Sequence, residues 1–264
     1  MRRYRAEPIV SLDSMKSELA EDGFLLCDTE AIVSLPSSVW LEPSSIPQRY
    51  QSGCLLLVAH AGKQFWQAFS QGQTAEYRKK PDPIDAYSAE VTERVLEKYL
   101  PNVARLRLFP SSDCPVNLMA LGRAFGWHSP SPLGMGIHEK YGLWSAYRAA
   151  WWLDIERLEV TLASHDLDKL SARPNSPAEM SDVCLQCQTQ ECVTACPSNA
   201  VTHRKNPELG HCADYRLTQN SQCESTCLSR MACPYASEHR YTGPQMSYHY
   251  DLARSAIAKY RQHS

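Results

Sequence analysis

The sequence carries no excess of positive charge: 27 Lys and Arg stand against 29 Asp and Glu, for a net charge of −2 over 264 residues. That balance excludes the basic footprint of a nucleic-acid-binding chain, and nucleic acid is not an expected partner. There is no run of 18 apolar residues, so no helix that crosses a membrane is expected. Arg2-Arg3 lies near the start, but Pro8, Asp13, Lys16 and Glu18 follow where an export signal needs an apolar stretch. A cytoplasmic protein is the expectation. Low-complexity tracts are absent, and so is any phosphate-binding glycine motif, which leaves nothing to argue for flavin. What is present is 43% hydrophobic residues, enough for a core in one large domain or two modest ones. The 17 Pro and 11 Gly point to many loops.

Cysteine is concentrated rather than spread. Eight of the 11 cysteines fall between Cys184 and Pro234, in C-L-Q-C-Q-T-Q-E-C-V-T-A-C-P, then Cys212, then C-E-S-T-C-L-S-R-M-A-C-P. Disulfides would need an oxidising compartment. Structural zinc prefers two separated C-x-x-C pairs, and only Cys184/Cys187 makes one. The pattern resembles a two-cluster bacterial ferredoxin, in which three close cysteines hold one [4Fe–4S] cluster and the Cys-Pro cysteine crosses to the other. Crossing over assigns Cys184, Cys187, Cys192 and Cys233 to one cluster, and Cys212, Cys223, Cys227 and Cys196 to the second. The loops are longer than usual, with four residues between Cys187 and Cys192. Cys27 and Cys54 lie in apolar runs and read as small buried hydrophobes.

Periodicity orders the rest. Leu12, Met15 and Leu19 recur at helical spacing before Gly23, and Phe24–Cys27 reads as a short strand. Residues 34–52 read as loop. Cys54–Ala59 is a continuous apolar run, hence a buried strand. A short helix over 63–70 precedes a strong one over 83–100, with Ile84, Tyr87, Val91, Val95 and Tyr99 on one face. Arg105–Phe109 alternates as a half-buried strand. A helix over 116–125 ends at Gly126, and 147–155 is a strand. Between them, residues 127–150 form a loop rich in Gly, Pro, His and Trp, of the kind that can either pack on itself or bed a flat ligand. Residues 166–180 read as linker, and 248–262 as a helix with Leu252, Ile257 and Tyr260 on one side.

Two stretches carry a further resemblance. Arg123-Ala-Phe-Gly-Trp127 and Gly142-Leu-Trp144 resemble the R-A-G-L-G-W and G-S-W-F motifs of corrinoid-dependent iron–sulfur reductases, the epoxyqueuosine reductase and reductive dehalogenase type. Ile137–Arg148 also resembles the animal type C cobalamin-processing protein, whose arginine matching Arg148 contacts glutathione. The resemblance implies an α+β chain: a nitroreductase-like, cobalamin-binding domain over 1–165, a ferredoxin-like domain with two [4Fe–4S] clusters over 181–243, and a C-terminal helix over 244–264. It implies a corrin bed of His128, Ser129, Ser131, Leu133, Gly134, Met135, Gly136, His138, Tyr141, Gly142, Trp144 and Arg148. It also implies a proton donor at Asp113, although the offset of Asp113 from Pro115-Val116 differs from the family's. About 30 residues follow Pro234, so the helical tRNA-binding extension of epoxyqueuosine reductases is not expected here.

The expected function is a cobalamin-binding oxidoreductase. It would pass electrons from two clusters to the cobalt and release the upper ligand, fed by an external flavodoxin or ferredoxin-reductase-type donor. The alternatives are a cobalamin-dependent reductase of another substrate, and an electron-transfer module without a corrin.

Overall fold

A computed structural model describes residues 12–42, 50–72, 77–111, 115–155, 182–203 and 206–262. Asp113, the lead-in 1–10 and the 166–180 linker lie outside the described residues. The chain is a mixed helix-and-sheet protein that divides into two units: residues up to 126 with those from Ala146 to Asn175, and residues 127–145 with those from Ser176 onward. The loop that the sequence reading placed in a domain over 1–165 therefore groups with the cysteine segment.

The first unit is built on a sheet. Helix α1 (Leu12–Glu21) buries Leu12, Met15 and Leu19. It stops at Gly23, whose φ of +85° favours glycine and where a Cβ would lie 2.3 Å from the Phe65 Cα. Strand β1 (Leu26–Ala31) pairs antiparallel with β2 (Cys54–Ala61), Leu26 opposite Ala59 and Ala31 opposite Cys54. The expected strand at 24–27 thus starts later and runs on through Asp28-Thr29-Glu30. An edge strand keeps one side open, so polar residues do not end it. All eight residues of β2 are buried.

Helices α2 (Gln64–Gly72) and α3 (Pro83–Tyr99) follow, then β3 (Arg105–Phe109), α4 (Leu118–Ala124) and β6 (Ser145–Leu153). The sheet order is β1-β2-β6-β3, with β3 antiparallel to β6. Helix α3 buries Ile84, Tyr87, Val91 and Val95 as the periodicity predicts. It also buries Ser88 and Thr92, whose hydroxyls bond back to Ile84 O and Ser88 O, each at 2.7 Å. The Thr92 hydroxyl then accepts from the Trp151 indole at 3.0 Å.

The second unit has little regular structure. Strands β4 (Ser129–Pro130) and β5 (Gly136–Ile137) pair antiparallel, and a bridge joins His138 to Gly142. Helices α5 (Asp182–Leu185), α6 (Glu191–Thr194), α7 (Leu209–Leu217) and α8 (Leu228–Ala232) are short, and α9 (Gly243–Gln262) is long. Helix α9 begins before its expected start, because Pro244 sits in the first turn, where no intrahelical N–H is needed. Its buried residues are Gln245 and Met246, whereas Leu252 and Tyr260 are exposed, so the apolar side read from the sequence is not its packed face. No helix among the described residues is long and apolar enough to cross a membrane.

Candidate metal centre

Electrostatic influence sorts the eight thiols into two sets of four. Cys184 is acted on electrostatically by Cys233, Cys192 and Cys187, and Cys192 by Cys233 and Cys187. Cys212 is acted on by Cys227, Cys196 and Cys223, and Cys223 by Cys227 and Cys196. Burial raises the thiols of Cys184, Cys192, Cys212, Cys223 and Cys233 above their ordinary pKa, Cys184 to about 11, and neighbouring thiols add to the rise. Such thiols become thiolates only when a cation compensates them.

Cys196 is the exception. Burial pushes it up, but hydrogen bonds from the Ser198 and Ser229 hydroxyls and the Val201 and Ala200 backbone prevail, and it falls below its ordinary value. Cys27 and Cys54 are of another kind. Both are buried in strands, and burial pushes each up to about 12, where a thiol is inert.

The backbone around the thiols turns sharply at several points. Four non-glycine residues have left-handed φ, namely Gln190, Asn199, Asn220 and Ala236. Each falls within three residues of a cysteine of the two sets, and Gln190 turns the long Cys187–Cys192 loop. Asparagine adopts this region readily, but for Gln190 and Ala236 it costs about 1–2 kcal/mol each, which marks the backbone there as constrained. No three His, Cys, Asp or Glu side chains among the described residues close around a single point as one ion would require. Thiols at the corners of a cube stand further apart than the ligands of one ion. The donor set, four thiols in each of two groups with backbone N–H donors on the sulfurs, fits iron–sulfur chemistry.

The loop 127–145 packs on this segment. Leu133 joins a small core of Cys196, Ala200 and Val201. At Gly134 (φ +70°) a Cβ would lie 2.9 Å from the Pro207 side chain, and at Gly136 it would lie 2.3 Å from the His128 ring. At Gly142 (φ +56°) a Cβ would lie 3.0 Å from Tyr235 O and from the Ala236 Cβ, and the Tyr235 hydroxyl donates to Glu139 O. Trp144 is 0% exposed, in a core with Tyr241 and Met246.

Arg230 lies between the Trp144 and Tyr241 rings, 4.7 Å from each centroid, and donates to Leu143 O at 2.5 Å. Ser131 donates to Met135 O at 2.6 Å. His138 Nδ1 accepts from the amides of Lys140 (3.0 Å) and Tyr141 (3.3 Å). Burial lowers the His138 pKa to about 4, so the ring is neutral and closes the 138–142 turn.

Ser131, Tyr141, Gly142 and Trp144 are thus buried supports, while His128, Ser129, Leu133, Gly134, Met135 and Gly136 keep some exposed surface. A groove of about 800 Å³ lies elsewhere in this unit, lined by Leu217, Glu224, Asp251, Arg254 and Arg261 among others. Its charges pair locally, Arg254 with Glu224 at 2.9 Å, and its lining offers no flat apolar bed.

Arg148 belongs to the first unit. Its Nε donates to Nδ1 of the fully buried His60 at 2.9 Å, and Nη1 lies 3.9 Å from Asp85. Burial raises the Asp85 carboxyl and Arg148 counters it. His60 escaped the sequence reading because a histidine inside the apolar run of β2 carries no signal of its own. Arg148, 88 residues away in sequence, identifies it only once the sheet brings them together.

No protein-family model and no curated protein sequence matches the chain. Solved structures do. A selenomethionine-labelled epoxyqueuosine reductase matches with a TM-score of 0.51 at 11% identity, over 89% of this chain and 68% of that one. The chain shares its fold with epoxyqueuosine reductase. The B12-trafficking protein CblC of C. elegans, a homologue of human MMACHC, matches at 0.49 and 14% identity, over 92% and 95%. An epoxyqueuosine reductase with an epoxyqueuosine-modified tRNA-Tyr stem loop matches at 0.49 and 10% identity, over 89% and 68%. Both families whose motifs the sequence resembles are therefore among its structural neighbours.

Proposed function

We propose that the chain is a cobalamin-binding iron–sulfur oxidoreductase that delivers electrons to a corrinoid and so frees its upper ligand. The observation that carries this reading is the gathering of eight thiols into two fours, Cys184/Cys187/Cys192/Cys233 and Cys196/Cys212/Cys223/Cys227. In a ferredoxin-like segment these residues would hold two [4Fe–4S] clusters, which supply one-electron chemistry at low potential. The half-exposed surface of His128, Ser129, Leu133, Gly134, Met135 and Gly136 would bed the flat face of the corrin, held in shape by Ser131, Tyr141, Gly142 and Trp144. His138 supports the turn rather than the cobalt, because its Nδ1 already accepts two amides. In the first unit, Arg148 is held by His60 and would be a cation for an anionic group there. An external flavodoxin- or ferredoxin-type protein would supply the electrons, and the cytoplasm would keep the thiols reduced.

The shared fold favours a second reading, reduction of another substrate with the corrinoid as cofactor. Because an epoxyqueuosine reductase appears with a tRNA stem loop, a nucleic-acid substrate belongs to this branch despite the chain's charge balance. Such a reaction needs a proton donor, for which Asp113 is the candidate. Turnover unchanged in Asp113→Asn would remove its main support.

The test is purification without oxygen, iron and sulfide analysis, and visible spectra with hydroxo- or cyanocobalamin before and after dithionite. A base-off spectrum, followed by reduction that is faster than in Cys184→Ser, supports the proposal. Intact cluster absorption with no change in the cobalamin spectrum would leave an electron-transfer module. Zinc in place of iron would overturn both.

A further inference from the structure

We infer, building on the iron–sulfur reading above, that Arg216 and Arg230 make the two cluster positions inequivalent. They hold the Cys196/Cys212/Cys223/Cys227 position at the higher reduction potential, so that the first electron settles there. Reduction adds one negative charge to a group already made anionic by four thiolates. Cations and N–H or O–H donors near the sulfurs stabilise that added charge and raise the potential, whereas exclusion of water lowers it.

Burial alone would favour the other order. Cys196 and Cys223 are buried, while all four of Cys184, Cys187, Cys192 and Cys233 are partly exposed. The charges act against burial. Arg216 is 7% exposed and acts on both Cys212 and Cys223. Its place is fixed by bonds from Nε to Cys223 O (3.3 Å) and from Nη2 to Tyr250 O (2.8 Å). Arg230, also 7% exposed, gives its backbone N–H to the Cys227 sulfur at 3.4 Å, while its side chain is clamped between Trp144 and Tyr241.

The Tyr250 hydroxyl also bonds to Cys227, and Ser198 lies 3.4 Å from the Cys196 sulfur. At the other position, Arg240 acts on Cys233 but Glu191 opposes it, and Thr189 is a long 3.7 Å from the Cys187 sulfur. On one side stands the buried cation Arg216, with Arg230 reaching the set through Tyr250, on which both Arg230 and Cys227 act; on the other stands one cation offset by an anion. A difference of that size in net charge outweighs a partial difference in burial, because charges interact strongly where water is excluded.

The step is a one-electron transfer from an external one-electron donor protein. No bond forms or breaks, and the donor is oxidised as one position is reduced. The experiment is a potentiometric titration of the anaerobically purified holoprotein, followed by electron paramagnetic resonance. Two reduction steps are expected. Arg230→Gln and Arg216→Gln should move the upper step to more negative potential and leave the lower step in place. Arg230→Lys should keep it, and Tyr250→Phe should move the same step by less.

Iron content of each variant guards against loss of assembly, and Tyr250→Phe and Arg230→Lys carry the test if the glutamine variants fail to assemble. Two coincident steps in the wild type, movement of the lower step, or no movement in any variant would overturn the inference. Absence of iron and sulfide from the wild type is a separate failure, because it would sink the iron–sulfur reading itself.

Discussion

In the first unit, β2 runs for eight residues with every one buried, flanked by β1 and β6, beside the aromatic cluster of Phe24, Phe65, Phe69 and Tyr87. In the second, α5, α6 and α8 have four or five residues each, too few to be stable helices alone. The second unit's apolar clusters are small, three buried residues around Trp144 and three around Cys196, and one member of the latter is itself a thiol of the two sets. The first unit is held by the burial of apolar surface, and the apolar clusters described in the second are too small to do the same. On the proposed iron–sulfur reading, folding of the second unit should be linked to cluster binding, and folding of the first should not.

The largest effect that would break this comparison is metal removal. Oxidative stripping of iron with a chelator should abolish hydrogen-exchange protection across 182–262 and leave β1 and β2 protected, as read by mass spectrometry. Equal protection of both regions in the stripped protein would show that the second unit folds without metal. Next comes Leu57→Ala, at a position 0% exposed in β2. It should cost about 2–5 kcal/mol of first-unit stability, visible as a lower urea midpoint, while iron content stays unchanged.

Gly142→Ala should be smaller, about 1–2 kcal/mol for the left-handed backbone alone. The squeeze against Tyr235 and Ala236 adds to it, and iron occupancy should fall, because the loop leans on the chain just past Cys233. The smallest effect is at His138. Its folded pKa, about 4, lies below the ordinary 6.5, so the unfolded chain takes up a proton first as pH falls. Stability is full above about pH 6.5 and declines from there towards pH 4. Urea midpoints at pH 7 and pH 5 should differ more in the wild type than in His138→Asn, and equal differences would show that the ring is not buried as neutral imidazole.

The first unit was largely legible because its signals are local. Leu12/Met15/Leu19, the Cys54–Ala59 run, and Ile84/Tyr87/Val91/Val95 each announce one face of one element, and the structure buries them. The misses there are at edges: β1 continues through Asp28, Thr29 and Glu30 because pairing with β2, not hydrophobicity, sustains it. In the second unit local pattern misled. Leu252 and Tyr260 looked like the packed side of α9, but its buried residues lie in its first turn, at Gln245 and Met246.

The loop 127–145 was ambiguous for the same reason. Its glycines could have opened space for a ligand or allowed close packing. Gly134, Gly136 and Gly142 each meet another part of the chain closely enough to explain their identity.

By itself, then, the sequence determined the helices and strands of the first unit, and it determined that eight thiols lie in one short stretch. Both are properties of near neighbours, written in periodicity and spacing. Only the tertiary structure decided that the aromatic loop groups with the cysteines, that His60 meets Arg148 across 88 positions of sequence, and that Arg216 and Arg230 are buried beside one thiol set. Those are encounters between residues far apart in the chain. No local pattern encodes them, because each depends on the path of the whole backbone.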